Sequence, residues 1–206
     1  MERFMPPSIQ TVKIWDENGL ELRTLPGHTN EVLTVAFSPK TVGDPEGGQF
    51  ILSGGSDRKA MLWDKFGKKI AEFSDPDPIK RSDIKSVAFS PKSKEMLAGC
   101  RNGNVWLLDE SLKETQKFSH NSEINAATFS PKGDLILTAC SDKTAKLWKI
   151  TNANNPLRTF SGHTGAVTCA VFSASGDTIL TGSADGTAIL WKLNGEKIRS
   201  FQHPEI

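Results

Sequence analysis

At 206 residues the chain has room for one compact domain or two small ones, and 37% hydrophobic residues with 17 glycines exclude disorder as its main state. Twenty-five basic against 24 acidic residues leave a net charge of +1, which excludes a bulk pull toward nucleic acid or an anionic membrane. No apolar run reaches half of the ~20 residues that a spanning helix needs. Pro6 and Pro7 interrupt the place where a signal peptide would carry its apolar stretch. Three scattered cysteines, Cys100, Cys140 and Cys169, make no disulfide framework and are expected to be small core residues. These readings predict a soluble, cytoplasmic protein.

After a lead-in over residues 1–10, two strands are predicted, over 11–16 (ending Ile14-Trp15-Asp16) and 22–25. A repeat then begins. Val35-Ala36-Phe37-Ser38-Pro39 returns as Val87-Ala88-Phe89-Ser90-Pro91, as Ala127-Thr128-Phe129-Ser130-Pro131 and as Ala170-Val171-Phe172-Ser173-Ala174. The four phenylalanines are 52, 40 and 43 residues apart. Each is followed by Leu62-Trp63, Leu107-Leu108, Leu147-Trp148 or Leu190-Trp191, 19 residues later in the last three units and 26 in the first. The excess falls in a turn-rich insertion at residues 41–47. Within a unit the apolar runs are short, β-branched and bounded by turns such as Asn102-Gly103 and Asp185-Gly186, with no 3.6-residue period. Four short strands per unit of roughly 43 residues describe one blade of a β-propeller, which buries its faces only against its neighbours.

The marks that carry a family resemblance are Gly27-His28, Gly162-His163 and Ser119-His120, with Trp-Asp at 15–16 and 63–64 and Trp-Lys at 148–149 and 191–192. The chain resembles the WD40-repeat family from about Thr11 to His203. The fold class expected is all-β, a WD40-type β-propeller of four complete four-stranded blades plus a partial N-terminal blade. The array covers 11–206: the partial blade 11–26, then blades at 27–73, 74–118, 119–161 and 162–206. The resemblance implies a hydrogen-bonded chain of His, Ser/Thr, Asp and Trp in each blade. Here that places His28, Ser53, Asp57 and Trp63; His120, Thr138, Asp142 and Trp148; and His163, Thr181, Asp185 and Trp191. The chemistry is consistent, because an indole N–H only donates, a hydroxyl relays and an ionised Asp only accepts. The second unit has Lys80, Ala98, Asn102 and Leu108 at those places, with Trp106 two residues early. It is expected to rely on apolar packing alone and to be the weakest full blade.

The fourth histidine, His203, shares the same register, so every histidine is committed to the repeat. Asp75-Pro76-Asp77 lacks the Gly and the downstream Glu of a cation loop and reads as an exposed turn. No zinc-protease, phosphate-loop or nucleophile-elbow motif occurs, and no cofactor or metal is expected. The resemblance implies a non-catalytic scaffold that binds a protein or peptide on the propeller face. Positions turned to that face are Thr29, Glu31, Arg81, Asp83, Arg101, Asn121, Glu123 and Thr164, with the loops at 74–83 and 41–47 as further candidates. Three acids (Glu31, Asp83, Glu123) in equivalent places favour a basic partner segment, against a reading as ordinary solvated charge. A propeller enzyme would need convergent titratable groups, and a nucleic-acid module would need a basic stripe with aromatics, yet the chain has no Tyr. Because the array starts and stops within a repeat, three arrangements are open: a piece of a longer protein, a small closed ring, or self-association through unclosed blade ends.

Overall fold

A computed structural model describes residues 10–40, 47–77 and 82–202. Among these residues every regular element is a strand. β1 (Val12–Trp15) and β2 (Glu21–Leu25) form a two-stranded sheet. Four antiparallel sheets of four strands follow, each paired in chain order. Blade 1 comprises β3 (Val32–Phe37), β4 (Phe50–Gly55), β5 (Lys59–Asp64) and β6 (Lys69–Ser74). Blade 2 comprises β7 (Ile84–Phe89), β8 (Met96–Cys100), β9 (Asn104–Leu108) and β10 (Glu114–Ser119). Blade 3 has β11 (Ile124–Phe129), β12 (Leu135–Cys140), β13 (Thr144–Lys149) and β14 (Arg158–Ser161). Blade 4 has β15 (Val167–Phe172), β16 (Thr178–Ser183), β17 (Thr187–Lys192) and β18 (Lys197–Gln202). The inner strands β3, β7, β11 and β15 touch one another in succession. Their Phe-Ser ends gather around one cavity of about 480 Å³, lined by Phe37, Phe89, Phe129 and Phe172.

The second and third strands of each blade are joined by a turn whose fourth residue has positive φ: Arg58 (69°), Gly103 (93°), Lys143 (70°) and Gly186 (79°). Two of the four positions thus place an ordinary side chain in the left-handed region, at a conformational cost that glycine avoids. Each inner strand also carries a bulge, at Leu33, Lys85, Asn125 and Thr168, where the pairing register skips one residue. A bulged residue leaves the ladder and its side chain is re-aimed.

The core lies between sheets rather than within them. Leu52, Leu62 and Phe73 of blade 1 meet Ile84, Met96 and Trp106 of blade 2. Leu97, Val105 and Phe118 of blade 2 meet Ile124, Phe129 and Trp148 of blade 3, and Leu137, Leu147 and Phe160 of blade 3 meet Val167, Ile179 and Trp191 of blade 4. The β1–β2 sheet packs Val12 and Leu25 on Met61 and Trp63. Burial therefore depends on a neighbour being present. Val87, Ala127 and Ala170 are buried on their inner strands, whereas Val35 at the same place in blade 1 is 57% exposed. Trp15 is 54% exposed against 1–3% for Trp63, Trp148 and Trp191. Cys169, expected in the core, is exposed for the same reason. Its counterpart Ser86 contacts Ala127 of the next blade, and no further sheet covers that side of blade 4 among the described residues.

Candidate functional site

One end of the blades carries the polar chemistry: the buried chains beside the second strands and the mouth where the inner strands begin. In blade 1 the Trp63 indole donates to Ser53 Oγ at 2.9 Å. The Ser53 proton goes to His28 Nε2 at 2.8 Å, closer than the alternative Met61 carbonyl at 3.4 Å. His28 Nδ1 is thereby left to donate to Asp57 Oδ2 at 2.9 Å. Blade 4 repeats this with Trp191 to Thr181 at 2.9 Å, Thr181 to His163 at 2.8 Å and His163 to Asp185 at 3.1 Å. In both, the Asp also takes a backbone N–H, from Thr29 (2.9 Å) or Thr164 (2.8 Å), which pins the start of the inner strand to the turn. Burial alone would raise the Asp185 carboxyl. Donation by the Thr187 hydroxyl, by the Thr164 and Thr187 N–H groups and by His163 instead holds it far below the ordinary carboxylate range. The Gly-His pair has a steric origin too: a Cβ on Gly27 would lie 2.8 Å from the Trp63 ring.

Blade 3 keeps half of the chain. Trp148 donates to Thr138 at 3.0 Å and Thr138 meets His120 Nε2 at 2.6 Å. His120 Nδ1 lies 3.6 Å from Asp142 Oδ2, beyond hydrogen-bond reach, and is a buried nitrogen with no partner. Cys140 stands where blade 1 has Gly55, and a Cβ on Gly55 would sit 2.9 Å from His28 Nδ1 and 3.0 Å from Asp57 Oδ1. A side chain here crowds the His–Asp joint without always opening it, since blade 4 has Ser183 at this place and keeps its contact at 3.1 Å. Burial, helped by the Lys146 cation, lowers His120 to about 4, and burial pushes the Cys140 thiol up to about 12.

Blade 2 departs from the sequence expectation. Asp75, read as part of an exposed turn, is buried (2% exposed), and its Oδ2 accepts from Trp106 Nε1 at 3.1 Å and Asn102 Nδ2 at 3.0 Å. Its other oxygen caps Asp77 N at 2.8 Å, and Arg58 of blade 1 donates to the carbonyls of Asp75 (3.2 Å) and Asp77 (2.8 Å). The blade is therefore held by a polar network of its own, and apolar packing does not act alone. It is also covered by neighbours on both faces, and the ground for expecting it to be the weakest full blade, reliance on apolar packing alone, is removed. Trp106 comes two residues early because its acceptor arrives from a different place in the chain. Lys80, like Arg81, His203 and residues 41–46 of the insertion at 41–47, lies outside the described residues.

At the mouth, Glu31, Asp83 and Glu123 each directly precede an inner strand. Glu31, Thr29, Asn121, Thr164 and Arg101 are exposed. Asp83 is buried and bound by Arg101 at 3.3 Å, and Arg101 also lies 3.8 Å from Glu123. Glu123 takes Lys85 Nζ at 2.5 Å, and Lys85 reaches Asn125 Oδ1 at 3.2 Å. Asn125 donates on to Ser141 Oγ (3.0 Å) and to the Val167 carbonyl of blade 4 (2.8 Å). A continuous polar network thus joins three blades, and two of the three acids have cations of this chain beside them. Lys85 and Asn125 are both bulged residues. Nothing in a single sequence marks a bulge, whereas Asp75 could have been found by seeking an unpaired acid in the loop preceding the blade.

A fan of antiparallel four-stranded blades, tied by Trp, hydroxyl, His and Asp and carrying varied side chains at one rim, defines a repeat protein of the propeller type. The chain matches the model of the family described as WD domain, G-beta repeat at residues 19–64, 67–109, 112–149 and 154–192, and it belongs to that family. Each matched unit opens just before the outer strand of one sheet and closes at the end of the third strand of the next. The chain is similar to the transcriptional corepressor LEUNIG_HOMOLOG of Arabidopsis thaliana (27% identical over 165 residues, 74% of this chain and 19% of that protein). It is similar as well to the nuclear distribution protein PAC1 of Arthroderma benhamiae (29% over 167 residues, 74% and 34%). A guanine nucleotide-binding protein subunit beta of Oryza sativa subsp. indica is 29% identical over 168 residues (74% and 39%). The chain spans less than two fifths of the length of each of these three relatives. Proteins of this kind are in general interaction scaffolds without enzyme activity, and no helix among the described residues is long and apolar enough to cross a membrane.

Proposed function

We propose that this chain is a non-catalytic docking module that holds a protein or peptide segment across the mouth formed by Glu31, Asp83, Arg101, Glu123, Thr29, Asn121 and Thr164. The observation that carries the reading is the ordered polar rim from Asp83 to Val167, which presents fixed donors and acceptors on rigid strands, as a binding surface requires. His28 and His163 are already engaged in structural hydrogen bonds, which supports a role without chemistry. The preference for a basic partner residue narrows to Glu31, because Asp83 and Glu123 have cations of this chain beside them. Three unpaired thiols suit a reducing compartment, in keeping with a cytoplasmic location. Panning a random peptide library on the folded chain tests this. Enriched peptides are expected to lose binding to Glu31→Lys and Arg101→Glu and to keep it for Lys132→Glu. Equal binding to all three variants refutes it.

The uncovered side of β3, with Val35 and Phe37 57% and 62% exposed, favours a second reading, association of copies through unclosed blade faces. Sedimentation over a hundredfold concentration range is expected to show a discrete multiple of the 22.5 kDa chain that dissociates in Phe37→Lys. A monomer at every concentration sinks it.

A further inference from the structure

We propose that His120, Cys140 and Asp142 form a binding site for a thiophilic divalent cation, with Zn²⁺ the best match. Nδ1 of His120, Sγ of Cys140 and a carboxylate oxygen of Asp142 lie within 4.8 Å of one another, one ligand atom each of the three types that zinc takes. In blades 1 and 4 the His–Asp contact is a hydrogen bond of 2.9 and 3.1 Å. In blade 3 it opens to 3.6 Å, and His120 Nδ1 has no partner although its side chain is wholly buried. A tetrahedral zinc with metal–ligand bonds of roughly 2.0–2.3 Å sets its ligand atoms about 3.3–3.6 Å apart. The separation is too long for a proton to bridge and suits a metal ion between the two atoms.

Three further features fit. Asp142 Oδ1 is held by the Thr144 hydroxyl and N–H, at 2.6 and 3.0 Å, which leaves Oδ2 turned to His120. No backbone N–H reaches that Oδ2 among the described residues, whereas Thr29 and Thr164 donate to the equivalent atom in blades 1 and 4. On the far side of the imidazole, Nε2 meets Thr138 Oγ1, itself fixed by Trp148. This is the outer-shell contact that locks a zinc-binding histidine in orientation and tautomer. With Cys140 deprotonated and His120 neutral, the two anionic ligands balance the dication, and the thiol proton leaves to solvent on binding. Asp142 is partly exposed, so a water has access to the fourth position.

The arrangement is particular to this blade. The position of Cys140 is Gly55 in blade 1 and Ser183 in blade 4, and in blade 2 the thiol of Cys100 faces Asp75, with no histidine among the described residues there. Ser183 also shows that a hydroxyl is tolerated at this place, so Cys140→Ser is expected to fold.

The test is titration of the full chain, stripped of metal by chelator dialysis, with Zn²⁺ against a chromophoric chelator, alongside Cys140→Ser and Cys169→Ser. One tightly held zinc per chain is expected. Its affinity should fall by more than about a hundredfold in Cys140→Ser, beyond what loss of an outer-shell contact costs, and stay unchanged in Cys169→Ser. Co²⁺ added to the unmodified protein is expected to give a thiolate-to-metal charge-transfer absorption. Zinc retained by Cys140→Ser, or lost from Cys169→Ser, overturns the proposal. Should Cys140→Ser not fold, the absence of that absorption in the unmodified protein overturns it equally.

Discussion

Replacing Asp75 with Ala removes the shared acceptor of blade 2. Three donors stay behind: the Trp106 indole N–H, in a side chain 3% exposed, and the Asn102 amide and Asp77 backbone N–H, both in half-buried residues. An unsatisfied buried donor costs about 1–3 kcal/mol. The indole is enclosed by Phe73 on one side and takes most of that range, whereas the amide turns toward water and takes the low end. The expected loss is about 2–4 kcal/mol, or a fall in Tm of about 5–15 °C for a chain of this size. Urea unfolding of Asp75→Ala, Trp106→Phe and the double variant separates the polar contact from ring packing. A coupling of about 1–2 kcal/mol is expected between the two positions. If Asp75→Ala costs under about 0.5 kcal/mol, as a surface change would, or if the two effects simply add, Asp75 is not the anchor of the blade.

Asp185 gives a pH signature. Its folded carboxyl sits below the unfolded value, so its contribution to stability is complete above the unfolded pKa of about 4 and disappears as pH falls through the folded one. The difference in urea midpoint between the unmodified protein and Asp185→Asn is expected to shrink steadily below about pH 5, and a difference that stays flat to pH 2 contradicts it. Lys143 adopts φ 70° where blades 2 and 4 have glycine, so Lys143→Gly is expected to raise stability by about 0.5–1 kcal/mol in the same assay. Gly27→Ala drives a methyl group to 2.8 Å from the Trp63 ring and is expected to cost about 1–3 kcal/mol, with a red-shifted tryptophan emission as the ring is displaced.

The blades were legible because each is a local object. Four strands in chain order, with Phe-Ser closing the inner one and Leu-Trp or Leu-Leu filling the third, need no distant information to be recognised. The chains of His28 and His163 were legible for the same reason, since all four members lie within one repeat. Features set by a neighbouring sheet were not. Asp75 reaches Trp106 from the loop before its blade, 31 residues earlier, and comparison by register finds only Lys80 in the place of the missing histidine. Cys169 reads as a core residue on its own strand and is exposed because burial there is conferred by the next blade. The gap between His120 and Asp142 depends on about half an ångström, which residue types at fixed spacing do not encode.

The bulges in the inner strands bear on how such a rim changes over generations. Leu33, Lys85, Asn125 and Thr168 stand at one backbone position and carry four unlike side chains, apolar, cationic, amide and hydroxyl. Because each has dropped out of the hydrogen-bonded ladder, its replacement leaves the pairing on either side intact, and at Leu33 and Thr168, which take no part in the network across blades, substitutions bear little on foldability. Mutations that retune the rim are thus separated from mutations that unfold the blade. A lineage can exchange one recognised segment for another in single steps, without passing through an unstable intermediate.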